Sequence, residues 1–157
     1  MIYKLKGKNI RVVLEAEQID SMAEYIRIAG RNETGGILLG HYPGLNTASI
    51  TQIIGPPSDS KSGRYWFLRG VKGLSILLAN AWKKNEYYLG EWHYHPNGTT
   101  EPSQQDLTQM RKISKNSQYN CPEPVMIIIS GHYKSYELGV FLTDRRYKTT
   151  FQLEKES

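Results

Sequence analysis

The sequence predicts an α/β fold, a mixed β-sheet with helices packed on it. Three observations carry that reading. Strand and helix signals alternate along the chain. Val125-Met126-Ile127-Ile128-Ile129 is apolar at every position, the pattern of a central strand covered on both faces. Two further strand signals, 136–142 and 147–153, follow it and give the chain a hairpin-like end.

The elements follow in order. Ile10 to Leu14 predicts a short strand. Ile19, Met22, Ala23 and Ile26 fall at i, i+3, i+4 and i+7, one face of an amphipathic helix that Gly30 can end. Strands are predicted over 36–40 and 50–54, and the Pro-, Ser- and Gly-rich stretch 55–63 reads as a loop. Leu74, Leu77, Leu78, Ala81 and Trp82 repeat the helical spacing. Tyr87 to His95 predicts a strand that Pro96 and Asn97-Gly98 turn. Ser103 opens a third helix with Met110 and Ile113 on one face.

A length of 157 residues, 39% of them hydrophobic and 22% charged, suits one domain with its own core and excludes disordered and fibrous classes. No repeat or long linker divides the chain, and the longest apolar run, Val125 to Ile129, is far too short to cross a bilayer. The basic N-terminus lacks the apolar core of a secretory signal. The single cysteine, Cys121, excludes an internal disulfide, a C-x-x-C site and an iron–sulfur cluster, so a cytoplasmic location is expected. Net charge is +5, but the basic residues are scattered, with runs no longer than Lys83-Lys84 and Arg145-Arg146. Charge without a binding motif gives no reason to expect a nucleic-acid partner, and no membrane partner is expected either.

His93 and His95 stand two apart on a predicted strand, so both imidazoles face one side, close enough to share a cation. Trp92 and Tyr94 then point the other way, into packing. An isolated H-x-H is more often a chance pair on a solvated strand, and the next segment is what changes that balance. Ser103-Gln104-Gln105-Asp106 is a helix-capping pattern in its own right. Yet Asp106, Met110 and Ile113 fall at i, i+4 and i+7, so the carboxylate begins an apolar face, where an unpaired charge is expensive. A cation there would remove that cost. Two histidines, one carboxylate and a fourth position left to water form the donor set of a catalytic rather than a structural zinc site. Glu91 shares the histidine face and is a candidate general base on that ground.

His93-x-His95, seven residues, then Ser103-x-x-Asp106 resembles without a gap the signature of the JAMM (MPN+) metalloproteases, zinc-dependent isopeptidases of the JAB-domain superfamily. Upstream, Glu33-Thr34-Gly35-Gly36-Ile37-Leu38-Leu39-Gly40 resembles the family's E-x-x-G-x-L-x-G strand. The resemblance runs from about Glu15 to Leu142. It implies a single JAB/MPN domain over 1–157, cytidine-deaminase-like in architecture, with one zinc per chain held by His93, His95 and Asp106. It also implies Glu33 as the proton-transferring base and Ser103 as the oxyanion donor. Gly55-Pro56-Pro57-x-Asp59-Ser60, Arg69-Gly70, Gly73-Leu74, Tyr88 to His93 and Cys121-Pro122-Glu123-Pro124 narrow the resemblance to short bacterial JAB deconjugases. Those are encoded in anti-phage (CBASS) operons beside ubiquitin-transfer-like enzymes and a cyclic-oligonucleotide synthase.

The implied substrate is an isopeptide or peptide bond after the C-terminal glycine of a ubiquitin-like protein, or of an operon enzyme conjugated in the same way. Alternatives within the superfamily are a RadC-like DNA-associated protein, a processing protease for a sulfur-carrier ubiquitin-like protein, and a scaffold that has lost its metal. Outside it, a nucleobase deaminase needs a P-C-x-x-C that one cysteine cannot supply. H-E-x-x-H and G-x-S-x-G are absent. Cys121, flanked by Pro122 and Asn120, has no neighbour that would activate a thiol.

Overall fold

The computed structural model describes residues 1–157. In chain order the elements are β1 (Ile2–Lys4), β2 (Arg11–Val13), α1 (Ala16–Ala29), β3 (Thr34–Gly44), β4 (Thr47–Ile54), β5 (Lys61–Ser62) and β6 (Phe67–Leu68). They continue with α2 (Leu74–Lys83), β7 (Tyr87–His95), α3 (Gln104–Lys115), β8 (Val125–His132), β9 (Ser135–Thr143) and β10 (Thr150–Lys155). Eight strands form one mixed sheet in the order β1-β10-β9-β8-β7-β3-β4-β2, which closes on itself, while β5 and β6 make a separate two-stranded hairpin. Two pairings are parallel, β2 with β4 and β7 with β8, and α3 lies in the crossover between the latter pair.

The expected mixed sheet with packed helices is present, and its closure is the main addition. Strand β1 is responsible: three residues too short to show a periodic signal pair with β2 on one side and β10 on the other. The final strand also begins later than its residue types indicate. Asp144 Oδ1 accepts from the backbone N–H groups of Tyr147 and Thr149, and Lys148 sits at φ 57°, so residues 144–149 turn before β10 starts.

The core lies on both faces of the sheet. Val12, Leu14, Leu38, Leu89, Trp92, Ile127 and Ile129 pack with Met22 and Ile26 of α1. The alternate residues Ile37, Leu39, Tyr88, Met126 and Ile128 pack with Ala81 of α2 and with Met110 and Ile113 of α3. Residues 125–129 of β8 are all buried, as their uniform apolarity requires. Helix α1 begins in a capping box between Glu15 and Gln18 and ends at Gly30, whose φ of 69° suits glycine. In α2 the residue that departs from the expected face is Trp82. It is 60% exposed and rests edge-on against Tyr87, with ring centroids 5.1 Å apart.

Candidate active site

Strand β7 is the base of the site. Its alternation sends Trp92 and Tyr94 into the α1-side core, with the Trp92 indole donating to the Ile54 carbonyl at 3.0 Å, so His93 and His95 emerge on the other side. The neighbouring strand β3 pairs antiparallel with β7, Thr34 opposite Tyr94 and Gly35 opposite His93. The same register places Glu33 level with His95. Close neighbours on both sides of β3, β7 and β4, demand a bare backbone at Gly35 and Gly36. A Cβ on Gly35 would stand 2.7 Å from the His93 ring, and one on Gly36 would stand 1.9 Å from the Ile54 carbonyl oxygen.

Helix α3 supplies the carboxylate. Ser103 caps it, with Oγ accepting from the Asp106 N–H at 3.0 Å, while Asp106 Oδ2 accepts from the Ser103 N–H at 2.8 Å. Asp106 is therefore a capping residue, and it also faces the histidines. Its Oδ1 lies 2.8 Å from His93 Nδ1, and its Oδ2 lies 3.3 Å from His95 Nε2. Glu33 Oε1 is 3.5 Å from the same His95 nitrogen. His93, His95 and Asp106 are each no more than 6% exposed. One ligand atom from each lies within 4.8 Å of the others.

The electrostatics of this cluster are strained in the sense that matters for ion binding. Burial alone would push the Asp106 carboxyl up, but hydrogen bonds from His93 and His95 hold it well below the usual carboxylate range. For His95, burial opposes the charge while Asp106 and Glu33 favour it, and the net direction is upward. The Glu33 carboxyl is raised, first by burial and also by the Asp106 charge, against the pull of His95. His95 Nδ1 is buried without a hydrogen-bond partner. Two imidazoles and a carboxylate, buried and convergent, with no lysine or arginine pairing the acid, fit a divalent metal held by nitrogen and oxygen donors.

Glu91 goes elsewhere. It shares the strand face of the histidines, but one carboxylate oxygen takes the Arg69 Nε at 2.5 Å and the other takes the Tyr88 hydroxyl. Of the two acids that compete as base, only Glu33 reaches the histidines. Cys121 is 2% exposed in the α3-side core, and burial pushes its thiol up to about 12, so it is not a nucleophile at neutral pH. His41 and His132 lie outside the cluster, the first partly buried and the second exposed.

The β5–β6 hairpin was the part of the site that sequence reasoning missed. Its Phe67 packs edge-on against the His93 ring, with centroids 5.2 Å apart, and the Gly63 carbonyl accepts from the Glu33 N–H at 2.9 Å. Two-residue strands carry no periodic pattern. The signals nearby are the Asp59-Ser60 and Arg69-Gly70 pairs of the family pattern.

A closed mixed sheet with this donor set at the end of a central strand fits the class of metal-dependent hydrolases. Residues 15–143 match the family described as prokaryotic homologs of the JAB domain. The chain is 43% identical over 145 residues to the "CD-NTase/cGAS isopeptidase" of Enterobacter hormaechei, covering 91% of this chain and 81% of that one. It is 31% identical over 103 residues to the "Probable metalloprotease y4qB" of Sinorhizobium fredii, covering 63% of each. In solved structures it resembles a Desulfitobacterium hafniense protein determined in solution, with a TM-score of 0.68, 20% identity and 93% of this chain covered, a likeness of fold alone. The chain belongs to the prokaryotic JAB-domain family, and is an enzyme of the JAMM metalloprotease class.

Proposed function

We propose that this chain is a zinc-dependent isopeptidase and peptidase that cleaves after the C-terminal glycine of a ubiquitin-like protein, or of an enzyme conjugated in the same way. The observation that carries the reading is the convergence of Glu33, immediately before β3, with His93, His95 and Asp106. The 43% identity to a protein named for CD-NTase/cGAS supports a conjugate of a nucleotidyltransferase of that kind as the target. We place the chain in cytoplasmic anti-phage defence, with ubiquitin-transfer-like enzymes and a cyclic-oligonucleotide synthase as operon partners, as the sequence resemblance implies. We read residues 1–157 as a single domain and its architecture as cytidine-deaminase-like.

His93, His95 and Asp106 would hold one zinc, which when bound supplies Lewis-acid activation of the scissile carbonyl and of water. Glu33 stands beside this donor set with an oxygen free of strong hydrogen bonds, placed to take the proton of the attacking water and return it to the leaving amine. Ser103 Oγ uses a lone pair to cap Asp106 N–H and keeps its proton, which it donates to the oxyanion. No side chain forms an acyl-enzyme, so the time course has no burst. A narrow approach to one water and one carbonyl favours a residue without a side chain before the cut bond.

The test is a fusion of the cognate ubiquitin-like protein, through its terminal glycine, to a reporter. A single cut at that junction, lost with a chelator and with a bulky residue in place of the glycine, is the expected result. Equal cleavage of unrelated unfolded peptides would mark a general protease and overturn the assignment.

A further inference from the structure

We propose that Arg69 and Glu91 are positioning residues that hold the β5–β6 hairpin in place over the site; this rests on the reading of His93 and Glu33 given above. The hairpin cannot hold itself. Its strands are two residues each, Lys61 opposite Leu68 and Ser62 opposite Phe67, and it pairs with no strand of the large sheet. Yet it touches the site twice, through Phe67 on the His93 ring and through the Gly63 carbonyl on the Glu33 N–H.

Its base is closed by local bonds. Asp59 accepts from the N–H groups of Val71 and Lys72 at 3.0 Å each, and Ser60 Oγ accepts from the Gly70 N–H at 2.9 Å. These bonds shape the hairpin but do not fix it to β7. Arg69 does. Its side chain is 4% exposed, and each guanidinium nitrogen has one partner: Nε donates to Glu91 Oε1 at 2.5 Å, Nη1 to the Gly70 carbonyl at 2.8 Å, and Nη2 to the Tyr119 hydroxyl at 2.6 Å. Tyr88 donates to the second Glu91 oxygen. Phe67 and Arg69 are two apart in the hairpin, as are His93 and Glu91 on the strand face, so both contacts lie along one rigid strand. The anchor and the ligand share it.

A buried ion pair is weak evidence for stability, because apolar residues of similar volume often stabilise as well or better. Its use here is geometric. The fork of the guanidinium joins hairpin, strand β7 and the loop after α3 at one point, and so sets where Phe67 and the Gly63 carbonyl meet the site.

The experiment compares the full chain with Arg69→Met/Glu91→Gln, which removes both charges and leaves an amide for Tyr88. Amide hydrogen exchange is read in the metal-free protein, alongside kcat and KM on the fusion substrate and metal content after zinc loading. Exchange at Glu33 and Gly63 is expected to rise at least tenfold, with Trp92 and Ile128 unchanged, zinc retained and kcat down at least tenfold. Arg69→Lys, which keeps the charge but not the fork, should fall between. Unchanged exchange at Glu33 and Gly63 would overturn the proposal. So would a uniform rise across β7 and β8, the mark of a purely structural pair, or loosened exchange with kcat intact. If the double variant does not fold, Tyr119→Phe deletes one bond of the fork and must show the same pattern on a smaller scale. The exchange measurement stands even if the parent chain cuts no fusion, which separates this proposal from the assignment of substrate.

Discussion

Ser103→Ala separates the two things that one hydroxyl does. In the folded chain Ser103 is exposed, and its Oγ accepts from the Asp106 N–H at 3.0 Å. Alanine removes that half of the capping box but leaves the other half, Ser103 N–H to Asp106 Oδ2 at 2.8 Å, because it is made by backbone. The loss in stability is therefore that of a single cap, about 1 kcal/mol. For a chain of this size that lowers Tm by roughly 2–4 °C. Asp106 stays turned toward His93 and His95, so zinc content should not change. The same substitution deletes the proposed oxyanion donor, and loss of such a donor costs about 2.7–4 kcal/mol, or roughly 10² to 10³ in kcat. Melting curves, metal analysis and turnover of the fusion, normalised to folded protein, are the assay. A variant that melts a few degrees lower yet turns over at the parent rate would refute the catalytic role and leave Ser103 as a cap alone.

Thiol reagents should leave activity intact, since Cys121 is buried with its thiol pushed up to about 12; rapid alkylation of the native chain with loss of turnover would contradict this. Glu91→Gln alone should keep the proton relay, so its kcat should exceed that of Glu33→Gln by at least tenfold in steady-state assays; exchanged phenotypes would make Glu91 the base. In the metal-free chain, His95 is opposed by burial but raised overall by Asp106 and Glu33. A raised histidine contributes stability that is full below its unfolded value of about 6.5 and is lost as pH rises through the folded value. The Tm of the metal-free chain should accordingly fall from pH 6 toward pH 8 by more than that of His95→Gln, and equal slopes would remove His95 as the cause.

Much of the site was legible because it is local. Period two put His93 and His95 on one face of a strand, and the i, i+4, i+7 spacing of Asp106, Met110 and Ile113 put a carboxylate at the edge of a buried helix face. The two readings of Asp106, cap and ligand, are compatible, because Oδ1 faces His93 while Oδ2 accepts from the Ser103 N–H and still lies 3.3 Å from His95 Nε2. Glu33 was legible only through the family pattern of its strand. What brings it level with His95 is the β3–β7 pairing, across some sixty residues of chain, and no local pattern encodes such a pairing. Arg69 was legible only as part of the family pattern and Phe67 not at all, since their element has no periodicity and its place depends on a buried ion pair and a ring contact. Closure of the sheet was hidden for a similar reason. Tyr3 is 6% exposed, but β1 is three residues long and owes its existence to strands on both sides.

Metal analysis of the purified chain beside Asp106→Ala and Glu33→Gln, each also assayed on the glycine-linked fusion, tests the central claim most directly. The parent should hold close to one zinc and cut the fusion. Asp106→Ala should lose most of the metal, and Glu33→Gln should keep it while losing at least a hundredfold in turnover. Full zinc in Asp106→Ala, or parent-rate cleavage by Glu33→Gln, would contradict the account.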